Sequence, residues 1–223
     1  TYPDVHTIAD LGKNNVIVRV SPYAKYSSWL IASGIMKKDE IDKSYDGSPA
    51  QFIASSGKYA QQGTATNEPY MYEHEFKQWG KPVRFELLHD AGFKPYFAAA
   101  AVKPSKMDAL APCLKAIVPI WQQAIVDYVA DPVRANKIIV DTVSQFHDFW
   151  TYTAQRAKVA HAAIDKFGLI SNGDNKTIGD MDAERIQDLI DKMRLGGEKI
   201  KDGLKADQLL TNQFLDPSIG LPQ

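Results

Sequence analysis

The chain contains a single cysteine, Cys113, in 223 residues, which excludes an intrachain disulfide and any cysteine-rich metal site. Cys113 stands among Ala111, Leu114 and Ile117, company in which a free thiol is expected as a small buried hydrophobe rather than a nucleophile. No uninterrupted run of about 18 apolar residues occurs, so no bilayer-spanning segment is expected. The opening TYPDVHTIADLGK lacks the charged-then-apolar pattern of a secretory signal. Lys and Arg number 26 against 27 Asp and Glu, spread without a block of either sign, so the chain carries no electrostatic footprint for nucleic acid or an anionic membrane face. GxxxxGK[ST], GxGxxG and HExxH are all missing, and His6, His74, His89, His147 and His161 show no metal-ligand spacing. Neither a cofactor nor a metal is therefore expected. Glu73-His74-Glu75 reads as a solvated helix face, because adjacent helical residues point about 100° apart.

What is present is the balance of an ordinary globular protein, 44% hydrophobic and 24% charged, long enough for one large domain or two small ones. The two halves differ in pattern. NVIVRV (15–20) is a near-continuous apolar run of the kind found in buried parallel strands. SPYAKYSSWLIASG (21–34) reads as a helix closed by Gly34, and AQFIASSG (50–57) as a second closed by Gly57. YAQQGTATNEP (59–69) reads as another strand, PYMYEHEFKQWG (69–80) as a helix opened by Pro69, and KPVRFELLHD (81–90) and YFAAAAVK (96–103) as two further strands. Strand alternating with helix predicts a parallel α/β sheet. After Pro104 the pattern is helical. Leu110, Leu114, Ile117, Trp121 and Tyr128 fall near one face with Pro119 as a kink, Ile139, Val143, Phe146 and Trp150 repeat it, and helices over 153–167 and 182–195 end at Gly168 and Gly196. These apolar faces exceed what one short sheet covers, which predicts that part of the fold is missing or that the chain self-associates.

TIADLGKNNVIVRV, GTATNEPYMYEHE, the long stretch AVKPSKMDALAPCLKAIVPIWQQAIVDYVADPVRANKII with its Asp131-Pro132 break, IGDMDAERI and ADQLLTNQFLD together resemble, in their order, the type II periplasmic solute-binding proteins. The resemblance is to the group that serves ABC importers of nitrate, sulfonates and thiamine precursors. It covers most of the chain, although no single motif is diagnostic. It implies an α/β fold of two lobes joined by a hinge, with residues 1–95 as the second, inserted ligand-binding lobe and residues 96–223 as the helix-rich C-terminal part of the first. The N-terminal part of that first lobe, roughly a hundred residues in the family, is expected to be missing. In such proteins ligands sit on loops at the carboxyl ends of strands and the lobes close on them.

Ser21, Tyr23, Tyr26, Ser27 and Ser28, between the first strand and the helix behind it, are candidates because hydroxyls beside free helix-start amides suit an anion or polar group; Ser21 as a mere cap is the plain alternative. Thr64, Thr66, Asn67 and Glu68 stand where YAQQGTATNEP ends, Asn67 offering a donor and an acceptor and Glu68 accepting from an amine. Glu68 equally suits the positive start of the helix at Pro69. Asp46 in SYDGSP and Tyr96 after DAGFKP complete the candidates. Tyr70 and Tyr72 are expected to pack rather than to stack on a ligand.

The resemblance implies the substrate-binding component of an ABC-type importer, periplasmic or extracellular and lipid-anchored through a preceding segment. Its partners would be a small polar ligand and a membrane permease, with no nucleic acid and no turnover. The alternative on the same fold is an enzyme of the thiamine-pyrimidine-synthase group, which the lone cysteine disfavours.

Overall fold

In NVIVRV the three valines Val16, Val18 and Val20 are buried, and the run supplies the central strand β1 (Val18–Arg19) of a small parallel sheet. β2 (Ile41–Asp42) and β3 (Ala60–Gln61) flank it in the order β2-β1-β3. Val18 pairs with Ile41 and Ala60, and Arg19 with Asp42 and Gln61. The computed structural model, which describes residues 2–147 and 151–222, is thus a mixture of helices and a small parallel sheet.

Two compact units make up the chain, Thr1–Pro95 with Ala183–Leu209, and Tyr96–Asp182 with Leu210–Gln223. The segment Ala183–Leu209, read from sequence as part of the C-terminal region, clusters with the sheet.

The first unit begins with α1 (Ile8–Lys13), whose Thr7 hydroxyl accepts the Asp10 amide while Asp10 accepts the Thr7 amide, a reciprocal cap. α2 (Tyr26–Ala32), α3 (Ala50–Ala54) and α4 (Glu68–Tyr70) follow, α4 running into a wider turn at Met71–Glu75 closed by the Phe76 amide on the Met71 carbonyl. Several elements are shorter than expected. The helix after β1 starts at Tyr26 because residues 21–25 first make a turn, with the Ala24 amide on the Ser21 carbonyl. β3 stops at Gln61, so GTATNEP is not strand.

KPVRFELLHD and YFAAAAVK form no strand. The first of these ties down the chain entry instead, Arg84 donating to the Pro3 and Val5 carbonyls and Glu86 accepting the Ile8 amide. In the second, Ala98 has φ of +58°, outside the extended region.

The core of this unit joins Val18, Val20, Ala24, Trp29, Leu30, Met36 and Phe93, with Ile8, Leu11, Ile35 and Leu189 packed against it. Phe93 meets Trp29 at 5.5 Å between ring centroids. Leu189 comes from α8 (Ala183–Leu195), which also sends Lys192 Nζ to the Gly92 carbonyl at 2.6 Å.

The second unit holds α5 (Met107–Ala130), α6 (Val133–Phe146) and α7 (Ala154–Lys166). Pro112 and Pro119 both lie inside the α5 span. The residue of α5 that is buried is Gln122, 2% exposed. Its Nε2 donates to the Ile178 and Asp216 carbonyls and its Oε1 accepts the Asp216 amide, so a polar anchor occupies a place that pattern assigns to apolar groups. Leu110 and Trp121, expected on the covered face, are 38% and 46% exposed. Cys113 is exposed, not buried, because it shares that uncovered side of α5. Phe146 is exposed on α6, and Trp150 lies outside the described residues. The stretch Pro104–Ala130 is long and apolar enough to cross a membrane by length and composition, with 6% of its apolar window buried. This corrects the expectation that no such stretch exists, which a strict count of uninterrupted apolar residues produced.

Candidate functional site

All three strands run parallel, so their carboxyl ends meet at one sheet edge, and the loops leaving them enclose a concavity of about 470 Å³. β1 contributes Ser21, Pro22 and Tyr23, the loop after β2 contributes Lys43, Ser44, Tyr45, Asp46 and Gly47, and Gln62 follows β3. Open parallel sheets place ligands at this edge.

Short backbone bonds hold the loops together. The Val20 amide donates to the Asp42 carbonyl at 2.8 Å, the Tyr45 amide to the Val20 carbonyl at 3.2 Å and the Gln62 amide to the Arg19 carbonyl at 2.8 Å. Arg19, 8% exposed, lies with Nε 3.1 Å from Asp42 Oδ2 and donates through Nη2 to Ser44 Oγ. That bond occupies an acceptor site of the Ser44 hydroxyl and leaves its own proton for another partner. Asp42 Oδ1 accepts the Ser44 amide and Asp46 Oδ1 the Ser48 amide, so each carboxylate shapes its own turn. Gly47, at φ of +90°, takes a conformation that a side chain would strain.

Gln62 Oε1 accepts both the Ser21 amide at 3.1 Å and the Tyr26 hydroxyl at 2.9 Å. Rotating the carboxamide would set its NH2 against the Ser21 amide, which can only donate, so the orientation is fixed with Nε2 left as donor. Lys43 forms no ion pair among the described residues. The concavity thus presents the Lys43 ammonium, the Ser21 and Ser44 hydroxyls and the Gln62 amide, with the Asp46 carboxylate and the Tyr23 and Tyr45 rings at its walls.

Behind it lies a polar and aromatic layer. Gln61 Nε2 reaches Tyr45 Oη at 3.5 Å, and Tyr72 packs on Phe52, Phe76 and Trp79 at centroid separations of 4.8, 5.2 and 6.1 Å. Burial first, then the Glu68 and Asp46 carboxylates, push the Tyr45 phenol up to about 12. Burial likewise raises Tyr26, with Tyr45 adding to it, and Tyr72, with Tyr45 and Glu68 adding and the Gln61 side chain opposing. All three phenols stay protonated at neutral pH, and that of Tyr26 donates to Gln62. Asn67 Oδ1, Tyr72 Oη and Trp79 Nε1 are buried without an aligned hydrogen-bond partner among the described residues.

Of the residues expected from sequence, Ser21, Tyr23 and Asp46 line the concavity and Tyr26 stands behind it on Gln62. Ser27 does not, being fully buried with Oγ on the Ala24 carbonyl at 2.7 Å, because its position inside α2 turns it toward the core. Ser28 opens on a different groove. Thr64, Thr66, Asn67 and Glu68 do not line it either, since β3 ends before them. Glu68 Oε2 accepts the Thr64 amide and hydroxyl, each at 2.7 Å, and so serves the turn. Tyr96 belongs to the second unit, where its hydroxyl accepts the Asp182 amide at 2.8 Å. Lys43, Ser44, Tyr45 and Gln62 went unnamed. The signal that finds them is strand order, because each follows the carboxyl end of a strand once the strands are known to be two residues long.

No protein-family model, no curated protein and no solved structure matches the chain.

Proposed function

We propose that the chain is the substrate-binding component of an ABC-type importer, on the two-lobed hinged fold of type II periplasmic binding proteins. Unit one would be its ligand-binding lobe. The observation that supports the reading is the convergence of Ser21, Lys43, Ser44 and Gln62 at the carboxyl edge of three parallel strands. Lys43 has no ion-pair partner among the described residues and stands with two serines and Gln62, which favours a small oxyanion such as a sulfonate or nitrate. A flat heterocycle of the thiamine-precursor kind, taken against Tyr23 and Tyr45, is the other member of the class. Oriented polar groups with aromatic walls supply affinity and specificity without turnover, and closure of the lobes would retain the ligand. The reading carries with it a periplasmic or extracellular location and a permease as partner.

Native mass spectrometry of the protein as purified, repeated after denaturation and desalting, tests this. The expected result is a small bound mass, or one acquired from a panel of alkanesulfonates, nitrate and aminopyrimidines, that is lost on unfolding. A bare chain of 24.8 kDa that takes up none of the panel overturns it.

A further inference from the structure

A second groove, of about 510 Å³, runs along the outer side of α2 and does not share the serines or Gln62 of the first concavity. Ser28, Ile31 and Ala32 of α2 and Ile41 of β2 line it together with Gly196. At Gly196 a Cβ would stand 2.9 Å from the Trp29 nitrogen and 3.1 Å from Ser28 Cβ, so this glycine packs directly on α2. Lys38 and Lys43 line it as well, and neither pairs with a carboxylate among the described residues. Their neighbour Lys37 is by contrast engaged with Glu40 and Asn15.

Two lysines without an ion-pair partner among the described residues, beside Ile31, Ala32 and Ile41, have the chemistry of a site for a molecule with an anionic head and an apolar tail. Lysine stems extend such an apolar surface while their heads stay at the water. The volume lies within the roughly 300–1,000 Å³ range of small-molecule sites. We infer that this groove binds a medium-chain aliphatic carboxylate, its head between Lys38 and Lys43 and its tail along Ile31, Ala32 and Ile41. The aliphatic groups of Ile31, Ala32 and Ile41 beside the two lysines favour an anion with an apolar tail over an acidic peptide, whose charges recur along its length.

Lys43 lines both sites, so its ammonium serves one of them at a time, and Lys38 is the lysine that lines this groove alone; the inference otherwise stands apart from the importer reading. Backbone-amide NMR of the full chain, titrated with octanoate and separately with 1-octanol, tests it. Octanoate is expected to shift the amides of Ile31, Ala32, Ile41 and Gly196 saturably and to leave those of Ser21 and Gly47 the smaller movers. Lys38→Gln and Lys43→Gln should each weaken octanoate by about tenfold, the scale of one charge-assisted hydrogen bond, while Lys115→Gln in the other unit leaves it unchanged. Equal effects of octanoate and octanol, indifference to Lys38→Gln, or shifts from a glutamate-rich peptide with none from octanoate would each overturn it. A chain that passes here but binds nothing in the first concavity loses the importer reading and keeps this one.

Discussion

Tyr26 and Gln62 meet across the base of the sheet edge, the phenol hydroxyl donating to Gln62 Oε1 at 2.9 Å. One end of the tyrosine is thereby built into the core beside Phe93, at 6.2 Å between centroids, and the other fixes which way the Gln62 carboxamide faces. Packing and ligand chemistry are coupled at this single contact.

Its first consequence is alkaline lability. The pKa values of Tyr26, Tyr45 and Tyr72 are raised in the folded chain by burial, so the folded state holds these protons more tightly than the unfolded one. The stability they contribute is complete below pH 10 and declines as pH climbs from 10 to about 12 and beyond. Urea unfolding at pH 8 and at pH 11 should show the loss, and Tyr26→Phe should lower stability at pH 8 by about 1 kcal/mol while reducing the drop between the two. An unchanged midpoint at pH 11 would contradict the burial of these phenols.

Glycine at two positions of the first unit is required for different reasons. A Cβ on Gly12 would come 2.0 Å from the Ile35 carbonyl oxygen, whereas Gly34 has open space but φ of +72°. Gly34→Ala should cost about 1–2 kcal/mol of conformational strain, and Gly12→Ala clearly more, since α1 must part from the chain after α2. Thermal melts of the two variants rank them; a milder effect at Gly12 would show that the close approach is not real.

These packing constraints mark what was legible in sequence. NVIVRV announced the central strand because three alternate valines had nowhere to go but inside, and Gly34 and Gly57, with φ of +72° and +71°, announced the ends of their helices. Strand lengths were not legible, because the ladder depends on partners far along the chain and ceases after two residues. A strand read as running on to Pro69 pointed to Asn67 and Glu68, whereas the residue that follows the observed end of β3 is Gln62. On α5 the apolar stripe was visible, but which part of it is covered depends on Gln122 and on Asp216, 94 positions away.

Gln122 should be the least replaceable residue of the second unit. Gln122→Leu leaves the carbonyls of Ile178 and Asp216 and the Asp216 amide without their partner, a loss of about 2–4 kcal/mol. Gln122→Glu should cost at least as much, since it keeps the acceptor but sets a buried carboxylate oxygen against the Ile178 and Asp216 carbonyls. Denaturant titration followed by circular dichroism measures both, and a neutral leucine variant would show that water replaces the anchor.

The uncovered side of α5 should be directly detectable. Cys113 is exposed and should react with a thiol reagent in the native chain as fast as in urea. The neighbouring apolar groups Leu110, Ile120 and Trp121, 38%, 60% and 46% exposed, should drive concentration-dependent association in sedimentation velocity, which Ile120→Glu reduces. A monomer across the concentration range, with a protected Cys113, would contradict this surface.

The account rests on the sheet-edge concavity, and Gln62→Glu addresses it most directly. The variant keeps an acceptor for the Ser21 amide and the Tyr26 hydroxyl, removes the donor and adds a negative charge. Calorimetric titration of the parent with the oxyanion found to bind it, followed by the same titration of the variant, is the decisive measurement. The account predicts saturable binding that Gln62→Glu weakens by at least about tenfold, one lost charge-assisted hydrogen bond or more, with an unchanged thermal midpoint. Equal affinity in parent and variant would place the ligand elsewhere on the molecule.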